Sequence, residues 1–386
     1  MSTIRAWLRP AVTWLLRPVD RSVYVPLLIT IAAVAAAVGI GAREFLPGEF
    51  FTDGQLIERI ATDDPFVVAD RKFRAVGQVF SGLLLTSFAA LPTLFSFAVG
   101  LMLVLESLRA PDGRANRLAV AVGGGILVLF IPFMSWYSKE SLAAATVAAF
   151  LVISRKTDRS VLAAAPLVVY GLAVRDYWVL IAAAYVAVLI VERYRRPALW
   201  RLLLTLVGGL LVTTVGYRLV IGGDLQGIRV AINQYRDAAT TESMIVAPVA
   251  ATSLLTDWAG TVGSLGILLA PVPLVLLGSV YHLASAGLIS AIWLTAWVGF
   301  TQRGKVEAVA PRSSAARSRA HAMRAFYLLA AFVSIQAIFE PDYGSYLRHL
   351  VVVLPCICAV WLGVRATPAR PAPVPSPTQR DEADSS

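Results

Sequence analysis

Charged residues make up only 15% of this 386-residue chain, so those that interrupt its apolar runs are the first candidates for chemistry. Lys139-Glu140 sits between two apolar runs, in Trp136-Tyr137-Ser138-Lys139-Glu140-Ser141-Leu142. Arg175-Asp176 interrupts Ala173-Val174-Arg175-Asp176-Tyr177-Trp178, and Arg218 stands near the end of another apolar run. Glu340, Asp342, Arg348 and His349 precede the last one. Cations between helices suit a phosphate-bearing anion, because a guanidinium donates two parallel hydrogen bonds to phosphate oxygens. Lys139, Arg175, Arg218 and Arg348 are therefore the expected phosphate-binding residues. A carboxylate near them could act as a general base toward a hydroxyl. Asp53, in Phe51-Thr52-Asp53-Gly54, is the best placed, although an Asp there also suits a helix N-cap. Glu140, Asp176, Glu340, Asp342 and His349 are secondary candidates. The competing reading is that these charges form local pairs or snorkel, and merely fix helix ends.

The elements that must hold them are apolar helices. Hydrophobic residues form 58% of the chain, and the mean hydropathy is +0.71, too apolar for a soluble chain of this size. Runs of roughly 15–25 apolar residues recur, the length that spans a bilayer core. Backbone groups in lipid are satisfied within a helix, and barrel-like alternation is absent. The expected fold is all-α and polytopic, with about ten crossings. They are placed at 23–42, 84–107, 118–136, 138–153, 161–174, 178–191, 199–220, 275–300, 325–339 and 348–364. A half-helix broken at Pro271-Val272-Pro273 is expected to precede the eighth.

With both termini in the cytoplasm, most of the 34 Lys and Arg fall on the cytoplasmic side, as the positive-inside bias requires. The net charge of +10 is thus assigned to membrane lipid rather than nucleic acid. The expected location is the inner (cytoplasmic) membrane, with the candidate charges on its outer face. A cytoplasmic amphipathic segment (1–22) precedes one membrane domain (23–364), and a disordered cytoplasmic tail (365–386) follows it. Outer loops fall at about 43–83 and 221–257. In the first, Leu56, Ile57 and Ile60 predict an interfacial helix capped by Thr52 or Asp53, and Asp63-Asp64-Pro65 predicts a turn. In the second, Asp224, Arg229, Arg236, Asp237 and Glu242 form a mixed-charge stretch. Cys356 and Cys358, two apart on one helix, indicate neither a disulfide framework nor a metal site. The scattered His282, His321 and His349 lack metal-ligand spacing. No cofactor is expected, and a divalent metal has no support in the pattern. Gly123-Gly124-Gly125 reads as close helix packing.

Four segments, in order, resemble bacterial envelope polysaccharide proteins of the Wzy-like polymerase, EpsG-like and GT-C glycosyltransferase type. Phe51-Thr52-Asp53 is similar to the first-outer-loop acidic motif of GT-C enzymes. Tyr137-Ser138-Lys139-Glu140-Ser141-Leu142 is similar to an S-K-[DE]-x-L element that opens a span. Arg175 with Tyr177 resembles the single-Arg outer turn that follows. Tyr346-Leu347-Arg348-His349 through Pro355 resembles an R-Y-x(n)-P element, with His349 where Tyr is usual. The likeness covers the topology but only about twenty residues in motif. It implies a GT-C-like membrane glycosyltransferase or polymerase acting on polyprenyl-phosphate- or pyrophosphate-linked sugars at the outer face. By that likeness Asp53 activates the acceptor hydroxyl, and Arg175, Arg348, Lys139 and Arg218 hold the (pyro)phosphate. The first outer loop lacks an Asp-x-Asp pair, which argues against a metal-dependent version. Two other readings stay open: a transporter or flippase for a lipid-linked or anionic substrate, and a non-catalytic subunit working with envelope-assembly proteins.

Overall fold

The computed structural model describes residues 13–110, 112–157, 160–194, 199–234, 243–303 and 314–362. Most of the amphipathic segment 1–22, the tail 365–386, much of the basic loop 301–324, and Arg236, Asp237 and Glu242 lie outside them.

The chain is built from helices: α1 (Arg21–Ile40), α2 (Thr52–Ala61), α3 (Arg71–Gly82), α4 (Leu91–Ser107), α5 (Arg117–Met134), α6 (Lys139–Lys156), α7 (Ala165–Ala173) and α8 (Tyr177–Tyr194) come first. Then follow α9 (Leu199–Ile221), α10 (Leu225–Gln234), α11 (Leu254–Leu269), α12 (Val272–Leu277), α13 (Val280–Arg303), α14 (Ser314–Phe339), α15 (Tyr343–Leu350) and α16 (Pro355–Leu362). Among the described residues the only sheet is one antiparallel pair of three-residue strands, β1 (Pro18–Asp20) and β2 (Arg114–Asn116).

Among the described residues, five helices are long and apolar enough to cross a membrane: Arg21–Ile40, Arg117–Met134, Leu199–Ile221, Val280–Thr301 and Ser318–Phe339. The pair α15 and α16, bent by 54°, gives a sixth if counted as one span. Ten full-length crossings are therefore not what the helices show. Several expected spans are shorter or interrupted. The run expected at 84–107 becomes a helix only at Leu91, after a turn in which Leu84 takes φ +56°. The run at 161–174 opens as a 3-10 helix, Ser160–Ala164. The proline break expected at 271–273 is present, between α11 and α12, and a second follows at Gly278, whose φ of +70° is open to glycine at little cost.

The second half of α14, from Ala325, and α16 are apolar on almost every face and buried on almost every face, as a helix at the centre of a bundle must be. Around them, α9 and α1 turn large apolar side chains outward, among them Val212, Leu219, Val220 and Val34. A water-soluble protein does not expose so much apolar surface; lipid accommodates it.

Segment 43–83, expected as an outer loop, folds into a helical hairpin that covers one end of α5 and α6. Helix α2 is amphipathic and buries Ile57 and Ala61, as its spacing predicts. Its N-cap is Phe51, one position before the expected Thr52 or Asp53. Gly77 of α3 lets the two helices touch, since a Cβ there would lie 2.5 Å from Ile60 Cγ2. The turn at Asp63-Asp64-Pro65 forms as expected: Asp63 has φ +56°, and Asp64 accepts from Phe66 N–H and pairs with Arg59 at 2.8 Å.

Candidate functional site

The site begins at the tight connection between α5 and α6. Trp136 takes a left-handed φ of +69°, unusual for a bulky residue. Its surroundings hold it there. Its N–H donates to Thr93 Oγ1 at 2.9 Å, the Arg43 guanidinium lies 3.6 Å from its ring centroid, and Phe51 packs edge-on against it. The chain leaves this turn through Ser138, whose Oγ accepts Glu140 N–H at 3.2 Å and so caps α6. Lys139 and Glu140 are thereby fixed on the first turn of a helix, about 100° apart around its axis.

They do not pair with each other. Lys139 Nζ faces Asp53 Oδ2 at 3.8 Å and lies 3.1 Å from the centroid of the Phe73 ring. Glu140 turns inward and is fully buried. Its Oε1 accepts from Arg175 Nη2 at 2.8 Å and faces Arg348 Nε at 3.1 Å as an ion pair, and Ser138 donates to its Oε2 at 2.9 Å. Burying one carboxylate alone costs several kcal/mol, so a site of this kind persists only with several partners in good geometry. Arg175 and Asp176 also diverge. Arg175 reaches Glu140 and donates to Tyr177 OH at 3.2 Å, while Asp176 pairs with Lys72 of α3.

Asp53 is brought to the cluster by its neighbour. A Cβ on Gly54 would lie 2.8 Å from the Tyr137 carbonyl oxygen, so only glycine lets the first turn of α2 seat on the Trp136–Tyr137 backbone. Asp53 then meets Arg348 Nη2 at 3.3 Å as well as Lys139. Helix α15, which carries Arg348, is held from below: Tyr346 OH accepts from Trp293 Nε1 at 2.9 Å and Tyr343 OH donates to the Ile267 carbonyl at 3.0 Å.

Five of the expected residues thus form one connected group: Asp53, Lys139, Glu140, Arg175 and Arg348. His349 joins it, with Nε2 3.8 Å from Glu140 Oε1 and Nδ1 bonded to the buried Glu340. Asp342 has a structural role, accepting from Ser345 N–H at 2.8 Å as the N-cap of α15. Arg218 is elsewhere: its partner is Asp224 at 3.5 Å, with both side chains 40% exposed. The expected meeting of Arg218 with the other cations is not among its contacts, which run to Asp224. Arg229 is buried, bonded to Ser264 and the Ala337 carbonyl, and lies within the field of Glu340, the partner of His349.

An open cavity of about 530 Å³ lies against this group, with Lys72, Lys139, Arg175, Asp176 and Tyr177 on its wall. Lys72 was not among the expected residues. Its helix was nonetheless signalled by Asp70, which caps α3 through Lys72 N–H and Phe73 N–H, and by the spacing of Phe73, Val76, Gly77 and Phe80. Its pairing with Asp176, far along the chain, has no local signal. Among the described residues no three His, Cys, Asp or Glu side chains are grouped to hold a metal ion.

The arrangement can do two things. Lys139 and Arg175 can meet an anion entering the cavity, and Lys139 is the more easily released, since its contact with Asp53 is loose. Asp53, one-third exposed, can accept a proton from a bound hydroxyl if Lys139 turns to a ligand.

No family model, curated protein or solved structure matches this chain.

The likeness to envelope glycosyltransferases accordingly rests on the four segments alone. Each contributes at least one side chain to this group: Asp53, Lys139 and Glu140, Arg175, Arg348.

Proposed function

We propose that the chain is a multi-pass inner-membrane glycosyltransferase or polysaccharide polymerase that uses a polyprenyl-phosphate- or pyrophosphate-linked sugar at the outer face. In this reading one membrane domain, 23–364, crosses about ten times, several crossings being made by short or broken helices, and both termini are cytoplasmic. The observation that carries it is the meeting of Asp53, Lys139, Arg175 and Arg348, from four distant segments, in one ion-pair group with buried Glu140, of which Lys139 and Arg175 line a cavity. Ionisable groups gathered at such depth are costly and tend to mark function.

The step is a displacement at the sugar's anomeric carbon. Asp53 accepts the proton of the acceptor hydroxyl as its oxygen bonds to that carbon. The bond from the carbon to the phosphate oxygen breaks, and the electron pair leaves on the polyprenyl (pyro)phosphate. Lys139, Arg175 and Arg348 meet the negative charge that develops there, and in a water-poor site such preorganised donors act strongly. Glu140 keeps Arg175 and Arg348 in place before the ligand arrives.

A transporter reading places its ionisable residues near the midplane. Here the group lies at the first turn of α6 and the ends of its neighbours, which favours the transferase. The test uses cells lacking their own copy, complemented with Asp53→Asn, Lys139→Gln or Arg348→Gln. Loss of surface glycan with accumulation of lipid-linked sugar is expected for each. Full glycan in all three, at wild-type protein levels, overturns the assignment.

A further inference from the structure

A second cavity lies at the far end of α6, about 24 Å from Lys139 at 1.5 Å per residue. Its volume is about 350 Å³, and Arg21, Tyr24, Arg109, Gly113 and Arg155 line it. Three guanidinium groups from α1, the α4–β2 loop and α6 thus converge on one space. The acidic groups near them are fewer. Glu106 pairs with Arg155 and approaches Arg109 at 3.6 Å, and the field of Asp112 reaches Tyr24. Asp20 is committed to Arg114 at 2.8 Å. Among the described residues one positive charge is left in surplus, enough for one phosphodiester.

The surroundings are those of a lipid rather than a solute. Arg21 opens α1, and the same helix turns Val23, Leu27, Val34 and Val38 outward, each at least two-fifths exposed. These positions lie within about 60° of one another around the helix, an apolar stripe on the span that Arg21 opens. Trp14, half-exposed and 4.4 Å beneath the Arg117 guanidinium, stands beside it, where interfacial tryptophans sit.

We propose that the pocket of Arg21, Arg109 and Arg155 binds the phosphate of an anionic phospholipid, with an acyl chain along the outward face of α1. Guanidinium groups hold the phosphate by charge-assisted hydrogen bonds, and Tyr24 stands at the base of the pocket. This site is separate from the outer cluster and does not depend on what that cluster catalyses.

The test is binding by the full-length protein in neutral detergent, followed by native mass spectrometry. Short-chain phosphatidylglycerol, short-chain phosphatidylcholine and inorganic phosphate are the three probes. Saturable retention of phosphatidylglycerol, with little phosphatidylcholine, is expected. The double variant Arg21→Gln, Arg109→Gln should weaken it by roughly tenfold or more, at about one Lys/Arg-sized contribution per charge. Arg155 is left in place because Glu106 depends on it. The charge-preserving Arg21→Lys, Arg109→Lys pair should retain most of the binding, which separates loss of charge from loss of fold. Inorganic phosphate displacing the lipid at equal concentration would overturn the lipid assignment and leave a soluble-phosphate site. Equal phosphatidylglycerol retention by wild type and the Gln pair would overturn the site altogether.

Discussion

Arg175 and Glu140, on either side of α7, meet at 2.8 Å with the carboxylate wholly buried. The contact ties the start of α6 to the α7–α8 turn, and Arg348 closes the group from α15. Three parts of the bundle are thus joined through one carboxylate oxygen. Removing one partner of such a group leaves the other charge unmatched, which costs more than the pair itself contributes.

Glu140→Ala should therefore destabilise the solubilised protein by about 3–5 kcal/mol, read from unfolding in denaturant. Arg175→Ala should cost a similar amount. The two together should cost less than their sum, with a coupling of about 0.5–3 kcal/mol. Strict additivity would contradict the contact.

Asp53→Asn should behave differently. Asp53 is one-third exposed, and its ion pairs are 3.3 and 3.8 Å long, so its neutral isostere should leave the unfolding midpoint nearly unchanged. Glycosyl transfer should fall by about 10²–10⁴-fold, the range of a general base. A large loss of stability with normal activity per folded molecule would make Asp53 a structural residue.

Gly54→Ala tests how Asp53 is positioned. The added methyl would lie 2.8 Å from the Tyr137 carbonyl oxygen, so α2 must move off the Trp136–Tyr137 turn. Activity should fall toward the Asp53→Asn level although Asp53 is retained.

Arg218→Ala is the contrasting case. Its partner Asp224 is as exposed as it is, and exposed pairs contribute about 0.2–1 kcal/mol. Unfolding and transfer should both stay close to wild type. A loss of transfer comparable to that of Arg348→Gln would bring Arg218 back into the site.

Much of the helical architecture was legible because its signal is local. Apolar runs marked α1, α5, α9 and α14, the Leu56–Ile57–Ile60 spacing marked α2, and Pro271 marked the break after α11. The number of full crossings was not, since composition alone does not show that Leu84 turns or that Ser160 opens a 3-10 helix. The charged site was legible in its members for a different reason: an ion inside an apolar chain is conspicuous wherever it stands. Its pairing was not. Lys139 and Glu140 are neighbours in sequence, yet α6 sends one to Asp53 and the other to Arg175. The same rotation that separates them is invisible without knowing which helices flank α6. Arg218 shows the converse, conspicuous in sequence but paired with its near neighbour Asp224 rather than with the group.

The most direct measurement is transfer from radiolabelled polyprenyl-pyrophosphate-linked sugars by the purified protein in liposomes, wild type against Asp53→Asn. The expected result is label leaving the lipid for an acceptor with wild type only, together with release of polyprenyl (pyro)phosphate. Equal turnover by both proteins would contradict the role given to Asp53. No turnover of any lipid-linked sugar by a folded wild-type protein, with stable co-purification of another envelope enzyme, would contradict transferase function.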